Sequence, residues 1–326
     1  MNLVALLSVL FCASITEAQV YNSREPLVHT FSIVARDSAT GEMAVAVQSH
    51  WFSVGTAVSW GEAGVGVVAT QSFVDKSYGP KALALIKQGL TAGEALDSLK
   101  HADPGVDVRQ VAIIDYRGNV AAHTGTKCIQ YASHITGNDF SVQSNMMLGP
   151  KVCESMAAAF RQSTGKPLPE RLLLALEAAQ KAGGDIRGMQ SAAMIVVPGT
   201  PNNQPWNDKL VDLRVDDHTQ PIKELKRLYS VHVAYQHMNN GDLAVEKNDM
   251  ELAMREYNAA MKMFPANLEM QFWTAVTLAN TGNTEKAIPM FRKIFAKDNN
   301  WKELAKRLPA VGLLKLESAD LKLVIN

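Results

Sequence analysis

His29-Thr30-Phe31-Ser32-Ile33-Val34-Ala35-Arg36-Asp37 is the stretch whose reading decides the fold. Phe31, Ile33 and Ala35 alternate with Ser32, Val34 and Arg36, the period-two pattern of a strand. Asp37-Ser38-Ala39-Thr40-Gly41-Glu42 follows as a turn, short and polar, with a glycine free to take positive φ. Met43 to Gln48 alternates again, so the stretch predicts a β-hairpin. The hydroxyl at its start adds a chemical reading. A cut between His29 and Thr30 would leave Thr30 with a hydroxyl nucleophile and its own free α-amine as base. That amine has an unperturbed pKa of roughly 8, close enough to neutrality to move a proton.

Outward from the hairpin, the N-terminal side reads as leader. Leu3 to Phe11 is apolar but too short to span a bilayer, which takes about 20 residues. Thr16-Glu17-Ala18 then supplies the small residues of a cleavage site. Residues 1–18 therefore read as a signal peptide and 19–29 as a linker or propeptide, giving a secreted or periplasmic protein. Signal peptidase alone would leave Gln19 at the terminus, so a second cut is needed to expose Thr30.

On the C-terminal side, Trp51–Trp60 and Gly64–Gln71, rich in Val, Ala and Gly, read as buried strands. A helix begins at Tyr78. A second runs from Thr91, an N-cap with Glu94 three residues on, to about His101. Arg109–Tyr116 and Val120–Thr124 form a hairpin about Arg117-Gly118-Asn119, and Phe140–Met147 is a further strand. Helices at about 150–162 and 169–182 follow, then strands at 189–197 and 210–215. Grouped strands and grouped helices predict an α+β domain, a four-layer αββα sandwich over residues 30–217.

From Pro221 to the end, residues 221–326, the chain is purely helical. Asn248-Asp249 with Ala253, Tyr257 and Ala260 recurs 34 residues on as Gly282-Asn283 with Ala287, Phe291 and Ile294. This resembles the tetratricopeptide (TPR) pattern, with Gly241 small for close packing and Trp301–Leu314 as a capping helix. A plain pair of helical hairpins is the other reading.

The 326 residues carry 32 acidic and 32 basic side chains, with no basic stripe, so nucleic acid is not an expected partner. No stretch reads as a transmembrane span. Cys128 and Cys153 remain after leader removal, either paired or as separate thiols. No metal-ligand spacing, phosphate loop, GxSxG or HExxH is present, and no cofactor is expected.

The candidate catalytic residues are Thr30, Ser32 on the same face of the strand, and His50 as a base. Gln71 and Asn145 are candidate oxyanion donors at strand ends. The candidate substrate-binding residues are Arg36 and Asp37, read either as an ion pair at the strand end or as a solvated turn pair, with Gln143, Asp185, Arg187, Gln190 and Ser191. Asp185 with Arg187 is either a structural clamp or an anchor for a carboxylate.

Thr30–Asp37, Ala46-Val47-Gln48-Ser49, Gly64–Gln71, Asp103-Pro104-Gly105 with Val108-Arg109-Gln110-Val111, Val142–Asn145 and Gly183–Ala193 together resemble the DUF1028 family. Its members are uncharacterised bacterial and archaeal proteins placed in the N-terminal nucleophile (Ntn) hydrolase superfamily. The resemblance, from Thr30 to about Asp217, implies the αββα fold and hydrolysis of an amide, peptide or related acyl bond. It implies no particular substrate. Many family members start Met-Thr-Phe-Ser; this chain departs from that by its leader. A second reading stays open: a non-catalytic binding protein that keeps the sandwich and acts through its helical repeats. Assembly into a homo-oligomer is also left open.

Overall fold

The structure is a computed structural model that describes residues 27–28, 30–202, 204–316 and 318–325. The expected signal peptide, residues 1–18, and most of the 19–29 segment lie outside the described residues. The chain divides into two compact units, residues 1–222 and 223–326.

In the first unit the strands are β1 (Leu27–Val28), β2 (Thr30–Arg36), β3 (Met43–Ser49), β4 (Ser59–Glu62), β5 (Gly66–Phe73), β6 (Arg109–Asp115), β7 (Val120–Thr124), β8 (Ser133–Gly137), β9 (Phe140–Ser144), β10 (Ser191–Val197) and β11 (Val211–Val215). The helices are α1 (Tyr78–Lys87), α2 (Ala92–Ala102), α3 (Val152–Gln162) and α4 (Leu168–Lys181). Two antiparallel sheets form. One runs β1-β5-β6-β7 with β4 also on β5, and the other runs β11-β10-β3-β2-β9-β8. Helices α1 and α2 cover the first sheet, and α3 and α4 cover the second. This is the expected αββα sandwich.

The hairpin explains how the layers separate. In β2 and β3, Val34, Met43, Val45 and Val47 point inward and pack between the sheets with Val67, Ala69, Ala112, Ile114, Ala193 and Ile195. The alternate residues of the first sheet, Val68, Val111 and Ile113, pack outward on Ala82, Leu83, Ile86, Leu96 and Leu99 of its helices. Covered on both faces, β2, β3, β5, β6 and β10 are buried at nearly every position, and apolar residues fill most of those positions. At the turn, Gly41 takes φ 76°, and the Asp37 carboxylate accepts the Ala39 and Thr40 amides at 2.8 and 3.2 Å. Thr91 and Glu94 form the full reciprocal cap of α2.

Two expectations need correction. Trp51–Trp60 is not a strand: Ser53 is left-handed, Val54–Thr56 is a 3₁₀ turn, and only Ser59 onward pairs. The turn is pinned by Ser191, whose hydroxyl donates to the Trp51 carbonyl and accepts the Val54 amide at 3.0 Å. Edge strand β8 was not expected, because its residues are mostly exposed and lack an apolar alternation.

The second unit holds most of α5 (Pro221–Glu246), followed by α6 (Met250–Met263), α7 (Leu268–Asn280), α8 (Thr284–Phe295), α9 (Asn300–Arg307) and α10 (Ser318–Ile325). The recurring positions Ala253, Tyr257 and Ala260 and their counterparts Ala287, Phe291 and Ile294 are all fully buried. A Cβ on Gly241 would lie 2.4 Å from the Tyr257 ring, so glycine there lets α6 approach α5. Trp301 packs against Phe272 with ring centroids 4.9 Å apart and the rings tilted by 44°. The expected Trp301–Leu314 helix is shorter. It ends at Arg307, and a 3₁₀ turn containing Pro309 leads to Gly312 at φ 72°.

Candidate active site

Thr30 opens β2 with Ser49 opposite it at the end of β3. Its side chain and that of Ser32 sit on the inner face, so both enter the gap between the sheets, and both are fully buried. The polar ends of three strands, β5, β6 and β9, meet around them. Gln71 Nε2 donates to the Thr30 carbonyl at 3.1 Å and to Gln110 Oε1 at 2.7 Å. The Asn145 amide donates to the same Thr30 carbonyl at 3.1 Å, and Asn145 Nδ2 to Gln110 Oε1 at 2.9 Å. Ser32 Oγ donates to Gln71 Oε1 at 2.7 Å and accepts Gln143 Nε2 at 3.1 Å, which also reaches the Ala69 carbonyl at 3.1 Å. Glutamine at these inner positions replaces apolar packing with a hydrogen-bonded seam joining both sheets to the first residue of β2.

Four of the expected site residues, Ser32, Gln71, Gln143 and Asn145, therefore gather around the fifth, Thr30. Gln110 was missed and is the hub. Besides its two acceptor bonds, its Nε2 lies 2.8 Å from Thr124 Oγ1, 3.0 Å from the Ser144 carbonyl and 3.2 Å from the Ser133 carbonyl. The signal was present: Gln110 precedes the apolar run Val111–Ile114 on the inner face of β6, as Gln71 and Gln143 sit in their strands. Thr124 Oγ1 continues to His134 Nδ1 at 2.8 Å. Burial, then the charge of His123, pushes the His134 imidazole below its usual range, towards the neutral form.

The remaining candidates are placed elsewhere. Arg36 and Asp37 lie six or more residues along β2 from Thr30, on the order of 20 Å away. They are not an ion pair. Arg36 bonds Asp139 at 3.0 Å, and Asp37 closes the hairpin turn. His50 keeps its ring outside the seam, exposed, with its amide on Asp185 Oδ2 at 3.1 Å. Asp185 also accepts the Arg187 amide at 2.9 Å and the Arg187 guanidinium at 2.7 and 3.0 Å. These bonds clamp the 183–190 loop to the end of β3. The Gln190 amide, bonded to the Ser49 carbonyl at 3.1 Å, and the Ser191 hydroxyl extend that clamp.

The bonds of the seam join hydroxyl, carboxamide and backbone groups. A carboxamide holds geometry and donates hydrogen bonds, but it does not accept a proton near neutral pH. Ser32 accordingly gives its hydroxyl proton to an amide oxygen, which cannot activate it. A base for Thr30 can come from its own nitrogen if the preceding peptide bond is opened.

Cys128 and Cys153 are free thiols. Cys153 Sγ approaches the Ser133 carbonyl at 3.3 Å and Ser144 Oγ at 3.2 Å, while Cys128 Sγ approaches the Arg109 carbonyl at 3.4 Å. Burial raises both thiols, which keeps them protonated. No helix among the described residues is long and apolar enough to cross a membrane.

A family model described as a family of unknown function, DUF1028, matches residues 30–225. A solved DUF1028 protein from Silicibacter pomeroyi is 32% identical, with a TM-score of 0.55, over 62% of this chain and 88% of that one. Anbu, an ancestral β-subunit from Yersinia bercovieri, is 11% identical, with a TM-score of 0.31, over 61% of this chain and 93% of that one. No curated protein matches.

Proposed function

The chain belongs to the DUF1028 family, and from that premise we propose that it is a secreted hydrolase whose nucleophile is Thr30, freed by a cut after His29. The observation that carries this reading is the seam: the side chains that fix Thr30 and Ser32, Gln71 and Gln143 with Gln110 and Asn145 behind them, are neutral carboxamides, and the freed α-amine would supply a base. In the working form, Thr30 Oγ attacks the carbonyl carbon of an amide. The amine takes the hydroxyl proton and passes it to the leaving nitrogen. The amine then takes a proton from water, the hydroxide opens the ester, and Thr30 Oγ regains its proton. Gln71 and Asn145 hold the Thr30 carbonyl from opposite sheets, which fixes the nucleophile's backbone before substrate arrives.

The second unit fits a partner-docking role. Its repeated buried positions build stacked helix pairs, and such stacks present extended concave surfaces.

The test is a panel of amides and peptides offered to wild type and Thr30→Ala. Wild type turns over at least one, while Thr30→Ala, folded by circular dichroism, turns over none. Equal turnover by the variant removes Thr30 from the chemistry.

A further inference from the structure

The two residues of β1 occupy an informative place. Leu27 pairs with Phe73 and Val28 with Ser72, antiparallel, at the end of β5. Thr30, two residues on, pairs in the other sheet. Val28 and Thr30, on either side of the position where the chain must be cut, thus pair in different sheets. Leu27 and Val28 stand on the acyl side of the 29–30 bond, third and second before it.

We propose that the substrate is an extended peptide whose acyl side adds to β5 as a strand, in the register that Leu27–Val28 holds in the intact chain. This rests on Thr30 being the nucleophile. When the 29–30 bond opens, a segment held by a two-residue ladder becomes a separate chain, and so short a ladder does not retain it. β4 covers β5 only from Gly66 to Ala69, so departure of β1 bares the backbone edge at Ser72–Phe73. A bare edge is a template for another strand, bound chiefly through its main chain.

The edge is held ready. Arg109, 4% exposed, donates to the Phe73 carbonyl at 2.7 Å and is itself tied to Asp103 at 2.8 Å. Ser72 is fully buried at φ 75°, a left-handed conformation that a non-glycine residue keeps only where its surroundings enforce it. The self-cut and substrate hydrolysis then share one binding mode. In the first, Thr30 Oγ takes the His29 acyl group, the nitrogen takes the hydroxyl proton, and water opens the ester to leave the His29 carboxylate and the free Thr30 amine. In the second, a peptide's acyl group takes the same path.

The experiment uses the processed wild-type chain and four fluorogenic coumarin amides: acetyl-His, acetyl-Leu-Val-His, and the latter with the Leu or the Val nitrogen methylated. In an antiparallel pair the donating residues alternate, so methylation at one of the two positions removes a ladder bond. The tripeptide is expected to exceed acetyl-His in kcat/KM, and one methylated form to lose about tenfold, the scale of one hydrogen bond. Equal rates for acetyl-His and the tripeptide, or no loss from either methylation, overturn strand addition and leave the hydrolase standing. A chain that is never cut before Thr30 and hydrolyses none of the four overturns both.

Discussion

Replacing Gln110 by alanine should unlock the seam. Its Oε1 accepts Gln71 Nε2 at 2.7 Å and Asn145 Nδ2 at 2.9 Å, in a fully buried position. Removing it strands two amide donors, at about 1–3 kcal/mol each, and water entering the vacated space offsets part of that. A net loss of about 3 kcal/mol follows, and for a unit of 150–250 residues each kcal/mol is worth roughly 2–4 °C in Tm. The melting transition of the sandwich unit should fall by about 6–12 °C. The assay is scanning calorimetry of the full chain, with Gln48→Met as its partner. Gln48 is also fully buried, but neither its oxygen nor its nitrogen has a hydrogen-bond partner. Exchanging that carboxamide for a thioether of similar shape removes desolvated polar atoms and should leave Tm unchanged or raise it. A fall under 2 °C for Gln110→Ala, or a larger fall for Gln48→Met than for Gln110→Ala, would refute the reasoning that glutamine bonding holds the sheets together.

Gly241→Ala places a methyl 2.4 Å from the Tyr257 ring and should cost the helical unit about 1–3 kcal/mol by overpacking, read by chemical denaturation. Thr91→Ala removes the α2 cap and should cost about 0.5–2 kcal/mol, read by the shift in melting temperature. Asp103 should make the sandwich acid-sensitive. Burial raises its carboxyl, but hydrogen bonds from Arg109 and the Gly105 amide, with the Arg109 charge, outweigh burial and hold it below 3.8. A lowered folded pKa stabilises above the unfolded value and is lost as pH falls below 3.8 through the folded one. The stability gap between wild type and Asp103→Asn should therefore narrow from pH 5 to pH 3, followed by circular dichroism.

Much of the sandwich was legible because its signals are local. The β2–β3 hairpin, the α2 cap and the 34-residue recurrence each depend on residues a few positions apart, and those spacings translate directly into faces. What was not legible depends on residues brought together from a distance. Arg36 finds Asp139 across 103 positions rather than its neighbour Asp37. The 51–60 stretch has the composition of a strand, yet Ser191, 140 positions from Trp51, bends it. Gln110 gave the same polar-among-apolar sign as Gln71 and Gln143, but its role as hub appears only when β5, β6 and β9 converge. His50 looked well placed beside Thr30 in sequence register, while its exposed ring leaves the seam to the amides.

The sharpest test of the catalytic proposal is the N-terminus of the protein, read by intact mass and by sequencing of the first residues in material that hydrolyses an amide. A chain beginning at Thr30 is the predicted result. An active chain that still carries His29 joined to Thr30 would contradict it, because the α-amine proposed as the base would then be tied up in a peptide bond.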